Sequence, residues 1–203
     1  MGCIVSDRRS KDTICEMYGA PQSSVRTDSD GAPQSSVRTD SDVPYPVYMD
    51  DFTSEQKNLV STTWQIVSED IARVGVITFL RLFEKHPDLQ DLFVPFRGLS
   101  SDELRNNVGL REHGLRVMGT IEKVIARLHK PGNLYNMLYD LGSKHRMFDT
   151  KVEHFELIGP VLLQTIKPTV GQKWTPEVES AWIKFFWMIA TIMTEGMSTS
   201  QDT

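Results

Sequence analysis

The chain has 203 residues, 39% of them hydrophobic and 24% charged, with a formal net charge of −5; this allows a well-buried domain and offers no basic patch for nucleic acid, which is excluded as a partner. Both cysteines, Cys3 and Cys15, lie near the N-terminus, so neither a disulfide framework nor a thiolate ligand is expected inside the domain. The longest apolar run, Ala181 to Met193, is interrupted by Lys184 and falls short of the roughly 20 residues that span a bilayer. No apolar core of a secretory signal follows the first charges, and the domain is expected in the cytosol.

In chain order, residues 1–50 come first, with five Lys/Arg against eight Asp/Glu (net −3) and many Ser, Asp, Pro, Gly and Thr. They read as a polar, disordered tail ahead of one globular domain over 51–203. Met1-Gly2-Cys3-Ile4-Val5-Ser6 fits the myristoylation pattern, with Gly2 as acceptor. Cys3 beside it is a palmitoylation site, Cys15 is a second candidate, and Arg8, Arg9 and Lys11 form a small basic cluster diluted by Asp7, Asp12 and Glu16. One myristoyl chain binds membranes with a partition constant of only about 10⁴ M⁻¹, so stable anchoring needs a second signal, which Cys3 supplies. The expected address is therefore the cytosolic face of the plasma membrane, with the acyl chains in its inner leaflet. Residues 19–30 recur unchanged at 31–42; with no apolar face, the tandem copy is expected to be a spacer. From Gly2 to Thr53 it would span about 40 Å r.m.s.. Its Ser/Thr-Asp clusters are possible phosphate acceptors, and phosphate there would repel the tail from an anionic surface.

Thr53-Ser-Glu-Gln56 is a capping box opening a helix to about Ser68. Asp70 starts a second, carrying Val74, Ile77, Phe79, Leu80 and Phe83 inward, which His86-Pro87 stops. Pro87 opens a short third helix ending near Phe93, and a loop through Pro95, Gly98 and Ser100-Ser101 follows. After Arg105, Leu110, His113, Val117, Ile121, Val124 and Leu128 fall on one helical face. Beyond Pro131-Gly132, with Asn133 as expected N-cap, Leu134, Met137, Leu138, Leu141, His145 and Phe148 do the same. A helix from about Lys151 to Lys167 should be bent by Pro160 and closed by Pro168. The last has Thr175 as N-cap and Pro176 first, and runs from Glu177 to about Glu195. No segment alternates with period two, so the expected class is all-α.

A single inward histidine is ordinarily a core residue bonded to a carbonyl. Two of them, His113 and His145, on the stripes of successive helices, face one buried slot, which is the arrangement a haem iron needs. A ligating histidine usually donates its other N–H to a carbonyl, and for His145 the Leu141 carbonyl, four residues back, is the expected acceptor. Arg116 and Lys144 flank the ligands in sequence, placed to meet carboxylates at the pocket mouth. Zinc would want four N, O or S ligands, which these helices do not offer. His86, His129 and His154 have no such setting; His129 fits a helix C-terminus.

These features carry a resemblance. Trp64 in the first helix, Pro87 opening the third, Phe93 at the following corner, and His113 and His145 at a separation of 145 − 113 = 32 residues are similar in order and spacing to globins. So are the strings Arg-Glu-His-Gly-Leu-Arg-Val-Met (111–118) and Leu-Gly-Ser-Lys-His-Arg (141–146). Residues 53–197 resemble a six-coordinate, neuroglobin-like globin, and the whole chain with its acylation signal resembles the membrane-associated globin X lineage. The resemblance implies a three-on-three helical sandwich around a b-type haem, with His145 as proximal and His113 as distal iron ligand. It further implies Phe79 as distal-pocket aromatic, Phe93 stacked on the haem, Val117 as aliphatic wall and Arg116 as propionate partner; Leu141, Lys144 and Phe155 complete the expected cofactor contacts. One departure is that no cysteine pair lies between Phe93 and Glu103, so no internal disulfide tunes the distal ligand. The expected function is one-electron exchange with an unidentified donor, or chemistry on O2, NO, CO, nitrite or peroxide, with nitrite reduction a candidate activity. A reversible oxygen store or sensor is the alternative, and an adaptor acting through its tail a third.

Overall fold

The computed structural model describes residues 37–40 and 43–198, all within one compact unit, Ser36–Thr203. Gly2, Cys3, Cys15, the basic cluster and the first repeat copy lie outside the described residues.

Eight α-helices follow a hairpin among the described residues: β1 (Val37–Asp40), β2 (Val43–Pro46), α1 (Ser54–Val67), α2 (Ile71–Lys85), α3 (Pro87–Gln90), α4 (Ser101–Arg105), α5 (Val108–Ile125), α6 (Pro131–Arg146), α7 (Val152–Val170) and α8 (Pro176–Ser198). The chain is helical beyond the hairpin, as expected. Helices α1, α5 and α6 pack on α2, α7 and α8, with the closest pairings α6 on α8 and α2 on α5. Caps explain the starts. Thr53 accepts from the Gln56 N–H at 3.2 Å and Gln56 returns the bond at 3.0 Å; Asp70 caps α2 through the Arg73 N–H, and Asn107 caps α5 through that of Leu110. The main core gathers around Trp64, Trp182 and Phe185. A second cluster gathers around Phe79, Phe83, Phe96 and Leu110.

Several sequence expectations shift. The packed unit does not begin at residue 51. β1 and β2 pair antiparallel, Arg38 opposite Tyr45, so a strand occupies part of the second repeat copy. Tyr45 and Met49 are buried in the main core beside Phe52; these two large apolar side chains at the end of residues 1–50 supply burial that the polar composition of the tail as a whole conceals. Asn133 is exposed and does not cap α6. Lys130 is the N-cap and Pro131 the first helical residue, and Gly132 lies inside the helix, where a Cβ would run into Val43 of β2. Helix α3 ends at Gln90, short of Phe93, and a capping box of Ser100 and Glu103 makes α4 where a loop was expected. Pro168 does not close α7, which runs to Val170 and stops at Gly171 (φ 61°). The carbonyl that Pro168 cannot engage, that of Gln164, accepts instead from the Arg81 guanidinium at 2.8 Å, so the missing N–H leaves no orphan there. Phe148 lies beyond the end of α6 and is 69% exposed, not on an inward stripe.

Candidate functional site

Each histidine sits beside a point where two backbones nearly touch. Gly114 of α5, next to His113, meets Gly75 of α2: a Cβ on Gly75 would come within 2.8 Å of the Gly114 carbonyl carbon, and one on Gly114 within 2.9 Å of that of Gly75. Such contact needs residues without side chains, and it fixes α5 against the turn of α2 that presents Phe79. On the other side Gly142, three residues before His145, abuts the Met193 backbone, and Gly196 of α8 abuts that of Tyr139. Ser143 Oγ donates to the Gly196 carbonyl at 2.8 Å, so α6 is clamped to α8 one turn ahead of its histidine.

The His113 ring is set among aromatics. Its centroid lies 4.7 Å from that of Phe79 and 5.2 Å from that of Phe93, edge to face with both. Burial, then the nearby Arg116 guanidinium, then the His145 ring push its pKa down to about 4, so the imidazole is neutral, with a lone pair to give, at physiological pH. Within the described residues no hydrogen bond holds it. His145 is held firmly: its Nδ1 lies 2.8 Å from the Leu141 carbonyl. A carbonyl only accepts, so Nδ1 carries the proton and Nε2 is left free to ligate. Phe155 of α7 stands 5.9 Å from the His145 ring.

The sequence-derived set thus divides. His113, Phe79 and Phe93 come together on one side, with Val117, half-buried, packing against both clusters; His145, Leu141 and Phe155 come together on the other, and the His145 ring is the least of the causes that lower the His113 pKa. Arg116 is exposed, 4.0 Å from Glu112 one turn back, a pairing of little energetic weight at the surface. Lys144 is exposed beside His145. Sequence reading missed Phe83 and Phe96, which extend the aromatic wall: Phe83 lies 5.9 Å from Phe79 and 5.3 Å from Phe93, and Phe96 stacks 5.8 Å from Phe93. The four-residue spacing of Phe79 and Phe83 was a usable signal. Gln90 was also missed. Its Nε2 donates to the Phe96 and Leu99 carbonyls at 2.6 and 2.9 Å, pinning the turn that carries Phe93.

Among the described residues no three His, Cys, Asp or Glu side chains group to hold a metal. A donor set of two imidazoles suits a metal that arrives with four ligands of its own, as the iron of haem does, better than zinc, which takes its ligands from the protein.

Residues 77–193 match the globin family. The chain is 28% identical over 155 residues to neuroglobin of Tetraodon nigroviridis, covering 76% of this chain and 98% of that one. It is 34% identical over 134 residues to anaerobic nitrite reductase HBII of Casuarina glauca, covering 64% and 83% of the two chains. Its fold is similar to that of a hexacoordinated heme protein from an anhydrobiotic tardigrade at pH 4, with a TM-score of 0.69 and 22% identity over 72% of this chain and 96% of the other.

Proposed function

The chain belongs to the globin family, whose cofactor is haem iron, and on that footing we propose that His145 and His113 would both hold the iron at rest, for one-electron exchange or small-ligand chemistry at a membrane. The observation that carries this reading is the pair of complementary histidine settings. His145 is oriented by the Leu141 carbonyl with Nε2 free, and His113 is kept neutral by burial against Phe79 and Phe93. When bound, haem iron supplies a one-electron couple and a site for diatomic ligands or nitrite. His145 would anchor the cofactor, Phe93 and Phe155 would wall it, and His113 would close the opposite side. Because only ring contacts restrain His113, it can yield to O2, NO, CO, nitrite or peroxide, and the same looseness favours a reversible oxygen store or sensor as the second reading. Similarity to an anaerobic nitrite reductase supports keeping nitrite among the candidate substrates.

The deoxygenated ferrous spectrum separates the two readings: split, sharp visible bands mean six-coordinate, and one broad band means five-coordinate. His113→Ala should give the broad band and faster CO binding, and His145→Ala should lose most haem. A parental spectrum in either variant would overturn the ligand assignment.

The membrane part of the proposal rests on Gly2 and Cys3 as acylation sites, with the inner leaflet of the plasma membrane as target. No helix among the described residues is long and apolar enough to cross a membrane.

A further inference from the structure

Away from the histidines, the outer face of α2 forms one wall of an open groove of about 390 Å³, completed by the end of α4 and the first turn of α5. Its floor is aliphatic: Val76, Ile77 and Leu80, all half-buried. Val76 and Leu80 lean on the second core cluster, but Ile77, which the sequence pattern assigns to the interior, belongs to neither core. Three arginines from three helices line the groove, Arg73 of α2, Arg105 of α4 and Arg111 of α5. Within the described residues none has a carboxylate within 4.0 Å of its guanidinium. The one acid in the lining, Asp70, is engaged in capping α2 through the Arg73 N–H at 3.3 Å.

Three like charges with no carboxylate that near among the described residues repel one another slightly. The local balance, three arginines less Asp70, is +2. A carboxylate would neutralise half of that. A phosphate monoester carries about −1.5 to −2 at neutral pH with three acceptor oxygens, and guanidinium forks match those oxygens in pairs. No aromatic side chain lines the groove to stack a base, whereas branched aliphatics along a helix suit an alkyl chain, and the volume lies within the range of small-molecule sites. We propose that this groove binds a single-chain amphiphile with a phosphate monoester head, taken up as a free monomer, with its head between Arg73, Arg105 and Arg111 and its chain along Val76, Ile77 and Leu80. The proposal is independent of the ligation of the haem.

The test is calorimetric titration of the full-length holoprotein with dodecyl phosphate below its micelle concentration, beside inorganic phosphate and dodecanol. Saturable one-to-one binding is expected, with the Soret band unmoved, since the groove is not the histidine slot. Dodecanol should bind at least about tenfold more weakly and inorganic phosphate should not saturate, because head and chain each supply part of the affinity. Affinity should fall several-fold between about pH 7.5 and 5, as the phosphate regains its second proton near pH 6. The triple variant R73Q/R105Q/R111Q should weaken binding about thirtyfold or more, taking a few-fold per lost charge-assisted contact. Should that variant lose its helical signal, Ile77→Glu, a single change on a half-buried floor residue, replaces it and should reduce affinity similarly. Undiminished binding in a folded variant, equal affinity for dodecanol, no saturable binding, or binding only to phosphatidic-acid vesicles would each overturn the proposal, the last in favour of a lipid surface.

Discussion

Replacing Phe79 with alanine tests the packing of the distal wall and its hold on His113 together. Phe79 is 2% exposed and its ring lies 5.9 Å from those of Phe83 and Phe93 and 4.7 Å from that of His113. A buried Phe→Ala change costs about 3–5 kcal/mol through lost burial and the cavity left behind, of which each aromatic pair accounts for about 0.5–1.5 kcal/mol. Because the Gly75–Gly114 crossing keeps α2 and α5 from closing the gap, the upper half of that range is expected, a large part of the 5–15 kcal/mol that a domain typically has. In urea, with a slope of about 2 kcal/mol per molar, the midpoint of the apoprotein should fall by about 2 M. Phe79→Leu, which refills most of the volume, should cost less than about 1.5 kcal/mol. In the holoprotein, both variants remove the aromatic edge nearest His113, so both should raise the five-coordinate fraction of the ferrous form and speed CO binding. A loss below about 1 kcal/mol for Phe79→Ala would refute the packing argument. A leucine variant with parental CO kinetics would show that the ring does not position His113.

Two glycines on α5 should respond oppositely to alanine: Gly119 has open space around it and Gly119→Ala should gain up to about 1 kcal/mol of helix propensity, whereas Gly114→Ala drives a Cβ to 2.9 Å from Gly75 and should cost about 1–3 kcal/mol, read from thermal melts; a gain at Gly114 would mean that the helices part easily. Tyr48 and Tyr135 both donate to the Glu195 carboxylate, at 2.9 and 3.1 Å, and burial followed by the Glu195 charge pushes Tyr135 up to about 12 and raises Tyr48 in the same direction. The folded state thus keeps protons above pH 10 that the unfolded state gives up, so this contribution is intact below about pH 10 and lost as pH rises toward 12; ultraviolet titration should show two late tyrosines, both of which ionise at lower pH in Glu195→Gln while burial still keeps them late, and full ionisation near 10 in the parent would exclude the coupling. Gly2→Ala should release the protein from the membrane fraction, with Cys3→Ser weakening attachment more mildly and both keeping the parental haem spectrum; a Gly2→Ala protein still in the pellet would point to a protein partner instead.

What could be read from the chain follows from the range over which each signal acts. Capping is local: Thr53 with Gln56 and Asp70 with Arg73 sit three residues apart, and their bonds form as the letters indicate. The inward stripes on α5 and α6 are nearly as local, because a 3.6-residue period is written into each helix, and so the turn-length reach from His145 to the Leu141 carbonyl was legible too. Signals fail where a partner far along the chain changes the meaning of a residue. Pro168 reads as a helix end until Arg81, 87 positions earlier, takes up the carbonyl it strands. Gly132 reads as a break until Val43 packs against it inside α6. Ile77 reads as core because its spacing is right, yet at that point of α2 the facing elements supply arginines. Phe96 joins the aromatic wall next to Phe93 where Gln90 ties the following turn back through the Phe96 and Leu99 carbonyls. In each case the residue type was plain and its neighbour was not. Since the proposed His113 slot and the proposed arginine groove both depend on such neighbours across α2, α4 and α5, the ligand preferences proposed for them would follow mainly from how those helices cross.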